Sequence, residues 1–225
     1  MTTIGFIGSG QMGARVAKLA ADAGYDVVMS NSRDPETLRG LVHDLGSRAR
    51  AATVAEAAQA AQMAFISLPV SAYSTVPAHA LAGKTVIDAS TYFPQRDGPI
   101  DELDNGSITG CELLQRHIAQ AHVVKAMNSI DSGHLVQLPR AAGAPDRSAL
   151  PMAGDDASAK AEVAAFLNAI GFDAVDDGPL AEGWRQDPGS PAYGDENGNE
   201  YGVFGGTAHP AGTPVVRKLI EEANR

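Results

Sequence analysis

Short apolar runs alternate with longer, alanine-rich amphipathic runs over the first two-thirds of the chain. Ile4-Gly5-Phe6-Ile7, Asp26–Ser30, Met63–Leu68, Thr85–Ala89 and His122–Met127 are short and apolar at most positions. Runs of that length and uniformity predict strands covered on both faces. Between the first two, Met12, Val16, Leu19 and Ala20 fall near helical spacing and predict a helix over Met12–Ala23. Asp34-Pro35 opens another, because Asp caps well and Pro suits the first helical position, and Gly46 can end it. Thr53-Val54-Ala55-Glu56 has the spacing of a capping box and predicts a helix to about Ala61. Pro69 stops the strand that begins at Met63. This alternation predicts an α/β fold: a Rossmann-type, doubly wound, mainly parallel sheet with helices on both faces.

Beyond residue 140 the pattern changes. Leu150–Ala153 and Phe172–Val175 read as strands, and Asp155-Asp156 caps a helix running through about Ala169, with Gly171 as its stop. Gly183–Pro214 is loop chemistry, with eight of the 24 glycines and four of the 13 prolines. A loop that long is uncommon in a compact domain and reads as a functional flap, a subunit-contact arm or a mobile segment. A helix over Val215–Ala223 follows. The expected organisation is a nucleotide-binding domain over residues 1–140 and a small C-terminal α/β lobe over 141–225, carrying the Gly/Pro-rich loop 183–214.

The chemistry starts at Gly8-Ser9-Gly10-Gln11-Met12-Gly13, a G-x-G-x-x-G placed between a strand and a helix. That context makes the pattern specific for dinucleotides. Gly8 allows the tight turn, Gly10 removes the Cβ that would strike a pyrophosphate, and Gly13 lets the helix approach the strand. The helix N-terminus offers free N–H groups to the phosphates. The end of the second strand selects the nucleotide. It reads Ser30-Asn31-Ser32-Arg33, with no carboxylate before Asp34. A carboxylate would bind a ribose 2′-OH and repel a 2′-phosphate; hydroxyls, the Asn31 amide and the Arg33 guanidinium bind that phosphate. NADP(H) is therefore expected over NAD(H). Ser67 and Leu68, ahead of Pro69, fall beside the ribose and nicotinamide, since ligands in this fold sit beyond the carboxyl ends of the strands.

Charge narrows the partners. Seventeen Lys+Arg against 27 Asp+Glu give a net charge of −10, with no basic stripe for nucleic acid. No stretch of about 18 apolar residues suggests a membrane span, and the N-terminus lacks the features of a signal peptide, so a cytoplasmic protein is expected. The single cysteine, Cys111, cannot form an intrachain disulfide, and the six histidines make no H-x3-H or HExxH pattern, so no metal is expected. The long arm suggests a homodimer.

The residues resemble a known family. Gly8–Gly13, followed by a strand into Asn31-Ser32-Arg33-Asp34-Pro35-Glu36, resembles the NADPH-dependent coenzyme F420 reductases. Val123-Val124-Lys125-Ala126-Met127-Asn128 is similar to a V-V-K-A-F-N strand end in that family. Ala153-Gly154-Asp155-Asp156, Ala159-Lys160, Gly171-Phe172-Asp173 and Asp177-Gly178-Pro179-Leu180 are similar to its C-terminal signature. The resemblance implies hydride exchange between NADPH and a deazaflavin. It implies that Gly8, Ser9, Gly10, Gln11, Met12 and Gly13 hold the pyrophosphate and that Ser32 and Arg33 hold the 2′-phosphate. Ser67, Leu68, Pro69, Ala126 and Met127 would border the nicotinamide. Departures fall on the second-substrate side: Met127 replaces the usual Phe, Thr91–Gly98 is an unusual loop, and Gly183–Pro214 has no counterpart in shorter members.

Hydride transfer between two rings needs stacking, orientation and exclusion of water more than acid–base chemistry, so no catalytic acid is assigned. By position after strand ends or in the distal loop, Thr91, Tyr92, Asn128, His134 and Trp184 are the candidates to contact the acceptor. Lys125, ending an apolar strand, reads as a cap on the solvent side. Two other readings remain. One is an NADPH-dependent reductase of a carbonyl, imine or quinone-like substrate, with Tyr92 or His134 as proton donor. The other is a non-catalytic NADP(H)-binding module.

Overall fold

The computed structural model describes residues 2–193 and 207–224. Eight strands form one sheet: β1 (Thr3–Ile7), β2 (Asp26–Ser30), β3 (Ala49–Ala51), β4 (Met63–Ile66), β5 (Thr85–Asp88), β6 (His122–Ala126), β7 (Ala149–Gly154) and β8 (Asp173–Asp176). Their order is β3-β2-β1-β4-β5-β6-β7-β8. The first six pair in parallel, β7 runs antiparallel to β6, and β8 is parallel to β7. Order 3-2-1-4-5-6 is that of the doubly wound dinucleotide fold, reversing direction at β1. The segment 141–225 contributes β7 and β8 to this same sheet.

Side chains alternate across the strands with period two. Phe6, Phe65, Ile87 and Val124 face one layer with Val16 and Ala20 of α1 (Gln11–Asp22). Ile7, Ile66, Val86 and Val123 face the other, against Leu81 and Leu114. Phe6 and Phe65 pack with ring centroids 5.2 Å apart.

The remaining helices are α2 (Arg39–Leu45), α3 (Val54–Ala60), two short turns α4 (Pro94–Asp97) and α5 (Asp101–Asp104), α6 (Gly110–His117), α7 (Ala157–Ala169) and α8 (Thr213–Glu221). Both reciprocal bonds of the Thr53–Glu56 capping box are present, and Asp156 caps α7 by accepting from the Ala159 N–H at 2.8 Å. The helix expected after Asp34 starts as a 3-10 turn over Pro35–Leu38 before α2 begins. The expected 183–214 loop is shorter at both ends. A 3-10 helix covers Leu180–Gln186, and Thr213 and Pro214 belong to α8. Residues 194–206 of that loop lie outside the described residues. Its described flanks pack on the chain itself, with Ala192 and Ala211 buried among Ala149, Val175, Val216 and Ile220. No helix among the described residues is long and apolar enough to cross a membrane.

Candidate active site

The glycine turn is built by close approach. Gly8 has φ +113°, its N–H donates to the Ser30 carbonyl at 3.1 Å, and a Cβ on it would lie 2.2 Å from the Ser67 carbonyl oxygen. A Cβ on Gly13 would lie 2.3 Å from the Gly8 carbonyl oxygen, so α1 rests directly on the turn. Gly10 differs: it is the N-cap of α1, and a Cβ there would meet no heavy atom within 4 Å. No side chain caps α1 and no acid occupies its first turn. The first-turn N–H groups and the positive end of the helix dipole are therefore left for an anion, beside a space kept clear of side chain. A pyrophosphate fits that arrangement.

At the end of β2, Ser30 is buried with its hydroxyl donating to the Phe6 carbonyl. Asn31 accepts from the Arg33 N–H at 2.9 Å and donates to the Thr37 hydroxyl at 3.1 Å, which shapes the turn. The Asp34 carboxylate accepts from the Glu36 N–H at 2.8 Å and caps the following turn. The nearest acid is thus engaged in a local cap, and Ser32, Arg33 and Asp34 are all exposed. Among the described residues the Arg33 guanidinium has no ion-pair partner. This set suits a 2′-phosphate.

Beyond the carboxyl ends of β1, β4, β5 and β6 lies a cavity of about 330 Å³. Gln11 and Met12 form one side, Ser67–Pro69 and Ala89–Thr91 the next. Asn128, Ile130, Asp131 and Ser132 form the third, with Phe93, Arg96 and Tyr193 on the remaining wall. Met127, with φ 66°, turns the chain out of β6 into the third wall, and is buried. A non-glycine residue in that region costs about 1–3 kcal/mol, held by its surroundings. Asn128 donates to the Gln186 carbonyl at 2.6 Å, while its buried Oδ1 has no hydrogen-bond partner among the described residues.

A buried charged layer underlies this cavity. Asp88 accepts from the Tyr73 hydroxyl at 2.8 Å and the Ser90 N–H at 3.0 Å, and burial pushes its carboxyl above the ordinary range. Lys125 corrects the expectation of a solvent-side cap: it is 1 % exposed and ion-paired with Asp187. Burial alone would lower its pKa, but the carboxylate of Asp187, with Cys111 and Asp88, more than offsets this, and the ammonium is held above the usual lysine value. Burial pushes the neighbouring Cys111 thiol up to about 12.

The structure therefore gathers Gln11, Met12, Ser67, Leu68, Pro69, Thr91 and Asn128 around one cavity. Ala126 and Met127 are buried at the end of β6, and His134 is buried in the short turn His134–Val136. Tyr92 and Trp184 line a different cavity of about 800 Å³. There the Tyr92 hydroxyl donates to Asp104 at 2.8 Å and accepts from the Ile100 N–H at 3.0 Å. The Arg185 guanidinium lies 4.8 Å from the Trp184 ring centroid. Arg96 and Tyr193, on the wall of the smaller cavity, belong to the Thr91–Gly98 and 183–214 segments that the sequence marks on the second-substrate side, though neither side chain is singled out there. No group of three or more potential metal ligands occurs among the described residues.

The fold is the Rossmann-type dinucleotide fold, and the comparisons with known proteins indicate an NADP-dependent oxidoreductase. Residues 3–92 match the family described as NADP oxidoreductase coenzyme F420-dependent, in agreement with the resemblance in the sequence. Among solved structures, a protein of Arthrobacter sp. FB24, named provisionally as an F420-dependent NADP reductase, is 25% identical with a TM-score of 0.68. The match covers 81% of this chain and 87% of that one. A hypothetical protein of Sinorhizobium meliloti is 27% identical with a TM-score of 0.72, covering 85% and 93%. Pyrroline carboxylate reductase of Plasmodium falciparum with NADP bound shares the fold at 14% identity and TM-score 0.54, covering 85% and 64%. No curated protein matches the chain.

Proposed function

We propose that this oxidoreductase transfers a hydride between NADPH and coenzyme F420, a deazaflavin, or a similar planar acceptor. The observation that carries the nucleotide half is the uncapped start of α1 beside the open space at Gly10. Gly8, Ser9, Gly10, Gln11, Met12 and Gly13 would hold the pyrophosphate, and Ser32 and Arg33 the 2′-phosphate. Ser67–Pro69 and Asn128 would border the nicotinamide. When bound, NADPH supplies the hydride; the chain's own residues position, orient and exclude water. The Asn128 side chain lines the cavity, and its Oδ1 is buried without a hydrogen-bond partner among the described residues. The deazaflavin is supported by the family description and by the name of the Arthrobacter relative. The test follows NADPH absorbance near 340 nm with coenzyme F420, menadione and 1-pyrroline offered separately. Oxidation with F420 alone supports the deazaflavin. Oxidation with the quinone or imine moves the acceptor to the second class, and binding without turnover on any of them contradicts an enzyme of this type. The homodimer stands as a proposal on the length of the arm, and a monomeric mass by light scattering would contradict it.

A further inference from the structure

The two groups that the sequence offers as proton donors do not reach the cavity. Tyr92 faces Asp104 in the larger cavity, and His134 is buried under the short turn that it begins. Tyr193 lines the nucleotide-side cavity itself. We propose that Tyr193 is the proton-donating residue of the acceptor site, and that the acceptor is an electron-poor C=X bond, X being nitrogen or oxygen, whose heteroatom ends protonated. This rests on the nucleotide reading above. A carbonyl or an imine presents that bond directly, and a deazaflavin presents its vinylogue, in which hydride enters at a ring carbon and the electron pair reaches a ring nitrogen through the conjugated system.

The geometry is built, not incidental. Tyr193 is hydrogen-bonded to the Thr91 side chain, at the end of β5. Its turn is pinned from several directions. Lys125 pairs with Asp187, Asn128 donates to the Gln186 carbonyl, and the Ser190 hydroxyl donates to the Arg185 carbonyl at 2.7 Å. The Tyr193 N–H donates to the Ser190 carbonyl at 3.1 Å, and the preceding Ala192 is fully buried against α8. Two residues of the β6 end, Lys125 and Asn128, thus tether the segment that presents the phenol. The charged groups facing it are Asp187, Lys125 and Arg96. Burial, aided by Asp187, raises the phenol's pKa against the opposing pull of Thr91, Lys125 and Arg96, so it stays protonated through neutral pH.

The step balances without a further reagent. The acceptor carbon gains a hydride and its electron pair from NADPH, and the C=X π pair moves onto X. X then binds the phenolic proton as the O–H bond breaks, and the Tyr193 phenolate is reprotonated by water. General acid catalysis of this kind contributes roughly 100- to 10,000-fold.

Tyr193→Phe tests it, with F420, menadione and 1-pyrroline as acceptors. The expected variant binds NADPH within twofold of the parent, loses about 100-fold in kcat, and loses the alkaline limb of the kcat/KM profile. A second readout needs no turnover. With 13Cζ-labelled tyrosine, the resonance missing in Tyr193→Phe has a titration midpoint that falls when NADP+ brings its cationic ring into the cavity. Unchanged kcat and pH profile in the variant, a midpoint indifferent to NADP+, or no oxidation with any of the three acceptors overturns the proposal. A parent that fails to bind NADPH overturns the nucleotide reading instead, which keeps the two failures apart.

Discussion

Alanine at Gly10 and alanine at Gly8 should part fold from function. At Gly10 the backbone is extended, φ −67° and ψ −177°, and open to any residue, and a Cβ touches nothing within 4 Å. Losing glycine at an N-cap costs from a few tenths to about 1 kcal/mol. Reduced freedom of the unfolded chain returns about 0.4–1 kcal/mol. The net lies within about 0.5 kcal/mol, a shift in Tm of at most about 2 °C for a chain of this size. Gly8→Ala is different. Its φ of +113° costs a side chain about 1–3 kcal/mol, and the 2.2 Å contact with Ser67 adds about 1–3 kcal/mol of overpacking. The sum is roughly 2–6 kcal/mol, or a fall in Tm of about 5 °C or more. For NADPH the order reverses in cause. Gly10→Ala folds normally, yet its methyl occupies the space left for the pyrophosphate, and affinity should drop by about 100-fold, or about 2.8 kcal/mol. Scanning calorimetry with a fluorescence titration of NADPH reads both quantities. A folded Gly10→Ala that binds NADPH as the parent does would refute the reasoning.

Three further outcomes follow from the geometry. Arg33→Ala should weaken NADPH by about tenfold or more and leave NADH nearly unchanged in calorimetric titration, because a charge-assisted phosphate contact is lost; equal losses would remove Arg33 from nucleotide selection. Asp187→Asn should destabilise more than Lys125→Met in urea unfolding, since the first strands a fully buried ammonium and the second leaves a carboxylate that is 29% exposed. A buried charge without its partner costs about 3–5 kcal/mol; equal or reversed losses would show that the pair does not tether the segment. Asp177, pushed up to about 7 by burial, keeps its proton in the folded chain while the unfolded carboxyl loses it near pH 4. Stability should therefore fall as pH rises from about 4 to about 7 and level off above, each step of one in pH removing at most about 1.4 kcal/mol. The difference in Tm between Asp177→Asn and the parent should grow across that window, and a constant difference would contradict it.

The strands are legible because each parallel strand is apolar on both faces, and the phosphate turn because its glycines follow one strand and open one helix. Among the elements that escape, β3 and α6 do so for separate reasons. β3 is three residues with an arginine at its centre and offers no apolar run. α6 does carry a signal, the Thr109–Glu112 capping box, whose bonds are all made; it is the same pattern that marks the helix after Thr53. Lys125 misleads because a lysine ending an apolar strand suggests an exit to water, whereas its counter-charge comes 62 residues later. Tyr193 and Arg96 lie in the two segments marked on the second-substrate side, but no local spacing says which of their side chains enters the cavity. Apolar runs also overstate strand length at Met63–Leu68 and His122–Met127, where the left-handed turn at Met127 ends the strand one residue early.

The central claim is that the turn at Gly8–Gly13 grips a diphosphate while Ser32 and Arg33 choose the phosphorylated adenosine. Parallel calorimetric titration of the parent protein with NADPH and NADH tests it most directly. Saturable binding of NADPH at least about tenfold tighter than NADH, a gap of about 1.4 kcal/mol, is the expected result. Heat from neither nucleotide, or equal affinity for the two, would contradict it.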